Sequence, residues 1–130
     1  MLCLTIRTDK EEAELGIYHD NTQIADHVWQ AHRQLAETIH KEIVALLNGQ
    51  HKALADIQAI IVYKGPGSFT GLRIGMSVAN ALADSLDIPV VSTTSESWIK
   101  QGLIKLQAGE NEVQAFPEYG ALPNITLPRK

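Results

Sequence analysis

The segment best suited to chemistry is the glycine-rich stretch GPGSFTGLRIG, residues 65–75, which follows an apolar run and opens a helical pattern. Glycines at the start of a helix let a ligand approach free backbone N–H groups, so Gly65, Gly67, Ser68 and Thr70 form a candidate phosphate cradle. The segment lacks the Lys-Ser/Thr ending of a P-loop, and its glycine spacing differs from the dinucleotide-binding fingerprint. Phosphate binding is therefore one of two interpretations.

The second interpretation uses the small residues that recur every four positions: Gly67, Gly71, Gly75, Ala79 and Ala83. On a helix this spacing places them on one face, where another element can approach closely. The strip either packs against the first helix or the sheet of the same chain, or part of it meets a partner, with Leu72, Met76 and Leu82 flanking the contact. Arg73, beside the glycines, is either a solvent-exposed cation or a ligand for a partner carboxylate or a nucleotide phosphate.

Other residue types offer little catalytic chemistry. The five histidines, His19, His27, His32, His40 and His51, are scattered, and none forms the i, i+4 pair that a helical metal site would use. The HExxH motif is absent, and Ser68 does not lie in a GxSxG elbow. We expect no catalytic residue and no metal site, and helix capping is the expected role of Ser68 or Thr70.

The elements that would position these residues follow from hydrophobic periodicity. Alternation predicts three antiparallel strands, at 2–8, 13–18 and 24–29, with a turn at 19–21. Spacing by three and four then predicts a helix over 31–47 that stops at Asn48-Gly49, and the remaining pattern predicts a strand at 57–63, a helix at 72–86, a strand at 88–92 and a helix at 96–106. The order βββαβαβα indicates an α/β fold, a mixed sheet with helices packed on it as in actin-like and ribonuclease H-like lobes.

Length and charge limit the function classes. The 130 residues fit one domain, 1–110, followed by a Pro-containing extended tail, 111–130. The balance of 11 basic and 15 acidic residues, a formal charge of −4, argues against direct high-affinity binding to nucleic acid. The single cysteine, Cys3, excludes an intrachain disulfide, and no apolar run is long enough for a signal peptide or a membrane span, so a cytoplasmic protein is expected.

The string at 65–75, followed by a helix and by IPVVSTTS at 88–95, resembles the TsaB (YeaZ) family. Weaker support comes from His32 with its helix and from AIIVYK at 59–64, so the resemblance covers about 1–105 and is strong over 57–95. It implies an actin-like lobe, without a cofactor, that supports threonylcarbamoyladenosine synthesis in tRNA as a non-catalytic partner of the catalytic subunit TsaD. The ATPase TsaE would join through the complex, and tRNA would be contacted only indirectly.

In this family the pairing uses the first two helices of each partner. Carried over to this sequence, it implies a partner-binding set in the predicted helices at 31–47 and 72–86 and just before the second. The set comprises His32, Leu35, Ile39, Phe69, Gly71, Leu72, Arg73, Gly75, Met76 and Ala79. A homodimer through the same helices is a further alternative, because isologous interfaces reuse one patch.

Three departures from the family pattern bear on activity. The first strand ends in Arg7-Thr8-Asp9 where the family commonly has Asp-Thr-Ser/Thr, and an arginine where a carboxylate would help hold magnesium argues against hydrolysis. The metal-binding histidines of the catalytic paralogue fall on Ser95 and Ile99. Typical members also carry a second lobe, which this sequence is expected to lack. The rival function is a small nucleotide- or phosphate-binding enzyme that uses the 65–71 loop.

Overall fold

The antiparallel half of the sheet comes first in the chain. In the computed structural model, which describes residues 1–117, these strands are β1 Leu2–Arg7, β2 Glu12–His19 and β3 Thr22–Gln30. β1 pairs antiparallel with β2, and β2 pairs antiparallel with β3. The predicted turn is confirmed, with Asp20 in the left-handed region at φ 57°.

The second half of the fold alternates helices and strands. It comprises α1 Leu35–Gly49, β4 Ala59–Tyr63, α2 Phe69–Leu86, β5 Val90–Thr93 and α3 Trp98–Gln107. Short 3-10 turns, His32–Gln34 and Leu54–Asp56, precede α1 and β4. β4 and β5 join the sheet parallel to β1, which gives the order β3-β2-β1-β4-β5. The predicted mixed α/β sheet with helices on it is confirmed.

The sheet is covered on both faces because its central strands are apolar throughout. One face packs against α1 and α2, with Leu4, Ile6, Ile60 and Val62 fully buried. The other face packs against α3, whose Trp98 lies with Cys3, Ile61 and Val91. All three helices are amphipathic, and the buried positions of α1, Leu35, Ile39, Ile43 and Leu47, follow the spacing by three and four that predicted the helix.

The starts of all three helices differ from the predicted ones, and α3 begins two residues later than expected. α1 begins four residues later than expected, because His32–Gln34 forms a 3-10 turn before it. α2 begins three residues earlier, because the Ser68 hydroxyl accepts the Gly71 N–H at 3.3 Å and caps the first turn. The expected capping role of Ser68 is thus confirmed.

The first residues of the predicted tail are bonded to the domain. The Asn80 side chain makes two hydrogen bonds to the backbone of Ala115. Its Nδ2 donates to the Ala115 carbonyl at 2.9 Å, and its Oδ1 accepts the Ala115 N–H at 2.8 Å. The Glu112 N–H donates to the Val90 carbonyl, and the Glu112 carboxylate accepts the N–H and the hydroxyl of Ser92. The segment 111–115 therefore lies along the outer edge of β5 and against α2. The rest of the predicted tail, 118–130, lies outside the described residues.

Candidate functional site

The carboxyl ends of three parallel strands meet at one edge of the sheet, where open α/β sheets bind their ligands. β1, β4 and β5 are adjacent and parallel, so the residues that follow them lie close together. These are the 7–9 strand end, the 64–68 loop and the 94–97 loop. The Thr94 hydroxyl donates to the Gly65 carbonyl, and the Lys64 N–H donates to the Thr93 carbonyl at 2.8 Å, which fixes the two loops to each other.

The small-residue strip of α2 lies against the end of β1 in the same chain. A Cβ added at Gly67 would meet the side chain of Asp9, one at Gly71 the carbonyl oxygen of Thr8, and one at Gly75 the hydroxyl of Thr8. The intrachain interpretation is therefore correct for these three glycines. That part of the strip meets a partner stays a prediction, which this packing disfavours at these three glycines because Thr8 and Asp9 already occupy the space beside them.

Two N–H groups of the glycine-rich segment have acceptors within the chain. The Ser68 N–H donates to the Asp9 carbonyl at 3.0 Å, and the Gly71 N–H donates to the Ser68 hydroxyl at 3.3 Å. Because these donors are engaged and Asp9 fills the space beside Gly67, the loop gives an anion little to bind. Phosphate binding at Gly65, Gly67, Ser68 and Thr70 stays a prediction that this geometry does not favour.

The Asp9 carboxylate at the strand end is already neutralised. Arg7 donates to both of its oxygens, from Nε at 2.8 Å and from Nη2 at 3.2 Å, and the guanidinium lies 4.0 Å from the centroid of the Tyr63 ring. The hydrogen bonds to Asp9 raise the pKa of Arg7 above its usual range. A carboxylate held in this way is a poor magnesium ligand, so these residues do not fit a magnesium–nucleotide complex.

No other part of the described chain offers a metal site. Within residues 1–117, no three side chains of His, Cys, Asp or Glu come together as metal ligands. Ser95 and Ile99, the positions matched to the catalytic paralogue's histidines, supply no imidazole there. His27 instead stacks on Trp29, and its Nε2 lies 2.9 Å from Oε1 of Glu42, which brings β3 and α1 into contact.

An open surface lies where α1 and α2 begin. A cleft of about 400 Å³ is lined by Lys10, His32, Arg33, Thr70 and Ile74, among others. A second cleft, of about 220 Å³, shares Thr70 and Ile74 and adds Phe69, Arg73 and Ser77. The two clefts therefore form one continuous surface on the side of the sheet covered by the first two helices.

The ten predicted partner-binding residues divide by burial. His32, Phe69 and Arg73 are exposed on the open surface, and Gly71 is half-buried. The other six are buried: Leu35, Ile39, Leu72, Gly75, Met76 and Ala79. These six hold the two helices on the sheet, so a partner docking on this rigid domain would not touch most of them.

Sequence reasoning missed Lys10, Arg33, Ile74 and Ser77 on this surface. A signal for two of them was present, since Thr70, Ile74 and Ser77 follow the four-and-three spacing of one helix face. Lys10 had no such signal, because the turn after β1 places it there. A larger cleft of about 630 Å³, on the α3 side between Tyr18 and Ile104, contains none of the predicted binding residues.

Comparisons with known proteins agree on one group of relatives. The family described as TsaD, tRNA N6-adenosine threonylcarbamoyltransferase, matches residues 29–114. The tRNA threonylcarbamoyladenosine biosynthesis protein TsaB of Bacillus subtilis is 35% identical over 95 residues, 73% of this chain and 42% of the relative. TsaB of Escherichia coli is 31% identical over 102 residues, 78% of this chain and 44% of the relative.

A solved structure of YeaZ from Pseudomonas aeruginosa superimposes with a TM-score of 0.68 at 27% identity, covering 82% of this chain and 50% of that one. The chain thus spans less than half of the length of the two TsaB relatives. Among residues 1–117, none of the helices combines the length and the apolar character needed to cross a membrane.

Proposed function

This chain belongs to the TsaB (YeaZ) family, and on that premise we propose that it supports the synthesis of threonylcarbamoyladenosine in tRNA as a non-catalytic subunit. It pairs with a TsaD-type catalytic subunit through α1 and α2. A TsaE-type ATPase joins through the complex, and tRNA is held by the other subunits. The chain works in the cytoplasm, as a lobe of the predicted residues 1–110 extended by the bonded segment 111–115.

One observation carries the proposal. The strand ends, where a nucleotide-binding relative of this fold would hold its ligand, are closed by the chain's own Arg7, Asp9 and Thr8, whereas the starts of α1 and α2 stay open. A lobe whose ligand-binding edge is filled by its own side chains, and whose helix surface is exposed, is suited to binding another subunit. Its net charge of −4 also favours a subunit that leaves the RNA to others.

The rival function, a phosphate- or nucleotide-binding enzyme that uses the 65–71 loop, is supported by no contact in the described residues. The N–H groups of Ser68 and Gly71 already have acceptors, and Asp9 lies beside Gly67. A bound phosphate would have to displace these contacts.

Reconstitution tests the proposal. Unmodified tRNA is incubated with ATP, threonine, bicarbonate, a threonylcarbamoyl-adenylate-forming enzyme, the TsaD-type and TsaE-type subunits, and the chain, and the modified nucleoside is quantified by mass spectrometry. We expect modification only when the chain is present, and no ATP hydrolysis by the chain alone. Full modification in its absence would overturn the proposal. Magnesium-dependent ATP hydrolysis by the purified chain would establish the rival function instead.

A further inference from the structure

Cationic side chains surround the open surface at the starts of α1 and α2. Lys10 and Arg33 line the larger cleft, and Arg73 lines the smaller one. Within residues 1–117, neither Lys10 nor Arg33 has a carboxylate within ion-pair distance, although both are exposed. Arg73 lies over the Phe69 ring, 5.4 Å from its centroid. In a chain with net charge −4, three cations therefore share one surface without a direct ion pair to the described part of the chain.

One acidic side chain also lines the clefts. Glu11 lines the larger cleft, but its carboxylate lies 3.5 Å from Nδ1 of His32. Because both of these side chains are exposed, their interaction is weak, so the Glu11 carboxylate offsets one of the three cations. The surface as a whole stays positive.

The floor between the cations is apolar. Leu35, from the first turn of α1, is 4% exposed and lines the larger cleft, and half-buried Ile74 of α2 lines both clefts. Thr70 and Ser77 add hydroxyl groups along the same face of α2. An apolar floor with a charged rim suits an amphipathic helix, whose apolar side chains fill the floor while its polar ones meet the rim.

We infer that this surface, the cationic groove formed by Lys10, Arg33, Thr70, Arg73 and Ile74, receives a partner helix that presents carboxylate side chains. The inference rests on the proposed function and adds the chemistry of recognition. Arg33 and Arg73 each offer a planar fork of donors that matches a carboxylate, and Lys10 adds a point charge. The partner's aliphatic side chains cover the half-buried Ile74.

The same charges disfavour two other occupants. A second copy of this chain, placed across an isologous interface, would set cationic groove against cationic groove, and like charges would face each other. A tRNA backbone would meet only the three cations of this groove, in a chain that is acidic as a whole. Its phosphates would also leave the apolar floor uncovered. A carboxylate-bearing helix satisfies both the charge and the floor.

Charge reversal tests the inference. The variant with Arg33→Glu and Arg73→Glu is compared with a control on the opposite face of the sheet, in which the exposed Lys100 of α3 is changed to Glu. Affinity for the TsaD-type subunit is measured by calorimetry at about 50 mM and about 500 mM salt. We expect the double variant to bind on the order of tenfold more weakly at low salt, with the difference shrinking at high salt, and Lys100→Glu to bind like the unchanged chain.

A second arm identifies the facing groups. Each Asp and Glu on the first two helices of the TsaD-type subunit is changed to its amide in turn, and the coupling to Arg73→Glu is measured in a double-mutant cycle. At least one carboxylate is expected to couple with it. Equal affinity of the double variant and the Lys100→Glu control for the TsaD-type subunit would overturn the inference. It would also be overturned if the isolated chain bound tRNA and the groove substitutions weakened that binding while Lys100→Glu did not. Absence of binding by the unchanged chain would instead refute the proposed function.

Discussion

The Thr8 hydroxyl donates a 2.7 Å hydrogen bond to the carbonyl of Gly71, which ties the end of β1 to the first turn of α2. The carbonyl oxygen of Thr8 also fills the space that a Cβ at position 71 would need. Glycine at position 71 is therefore required by the fold itself. A bulky residue at 71 or 75 would disturb this packing, so a variant of that kind does not distinguish a lost interface from a disturbed fold.

Substitution of Gly71 by alanine should destabilise the domain. The new methyl group would meet backbone at Thr8, which cannot move without disturbing β1, so we expect the free energy of unfolding to fall by about 1–3 kcal/mol. Urea denaturation followed by circular dichroism measures the change.

The matched control for Gly71→Ala is Gly49→Ala at the exposed end of α1. A Cβ added at Gly49 has no atom within 4 Å, so this variant should be as stable as the unchanged chain or up to about 1 kcal/mol more stable. Equal stability of the two variants would show that the Thr8–Gly71 contact does not constrain the fold.

The fold was predictable because the spacing of apolar residues changes where the strands end and the first helix begins. Residues 2–29 alternate, and those from Leu35 repeat by three and four, so strand and helix types follow from which positions are apolar. Boundaries were less predictable. The start of α2 at Phe69 depends on the Ser68 cap, and the start of α1 depends on the 3-10 turn at His32–Gln34.

The environment of the candidate site was predictable only in part. Helical spacing correctly placed Gly71, Gly75 and Ala79 on one face, but spacing does not say what lies against that face. The residue that lies against Gly71 and Gly75 is Thr8, which is 63 positions away from Gly71 in the chain. Lys10 reached the cationic groove through the same long-range packing of the β1 end on α2.

The thiol of Cys3 should be unreactive in the folded protein. Cys3 is fully buried under α3, and burial raises the pKa of its thiol from 9.0 to about 12. At about pH 8, a thiol-reactive chromophore should label the chain rapidly in urea and very slowly without it, because the thiolate is the reactive form.

The same shift predicts how stability depends on pH. Between 9.0 and about 12 the unfolded chain loses the Cys3 proton while the folded chain keeps it, so the free energy of unfolding contributed by this group should fall as pH rises. Below pH 9.0 the contribution is fully present. Cys3→Ser serves as the control for this pH dependence, since it removes the titrating thiol. In the labelling experiment, rapid reaction of the native chain would contradict the buried position of Cys3.

The two hydrogen bonds of Asn80 should hold the segment 111–115 on the domain. We expect Asn80→Ala to cost about 1–2 kcal/mol, because the backbone groups of Ala115 lose both partners and Ala115 is 2% exposed. Faster amide exchange at 111–117 measures the release. Asn48→Ala, at an exposed position near the end of α1, should leave this exchange unchanged, and the same exchange in both variants would contradict the role of Asn80.

Hydrogen–deuterium exchange of the chain, with and without its TsaD-type subunit, tests the central claim most directly. Association through α1 and α2 predicts slower exchange at 32–43 and 69–77 in the complex, and no change in α3, Trp98–Gln107, on the opposite face. Slower exchange confined to α3, or none anywhere at saturating subunit concentration, would contradict the claim.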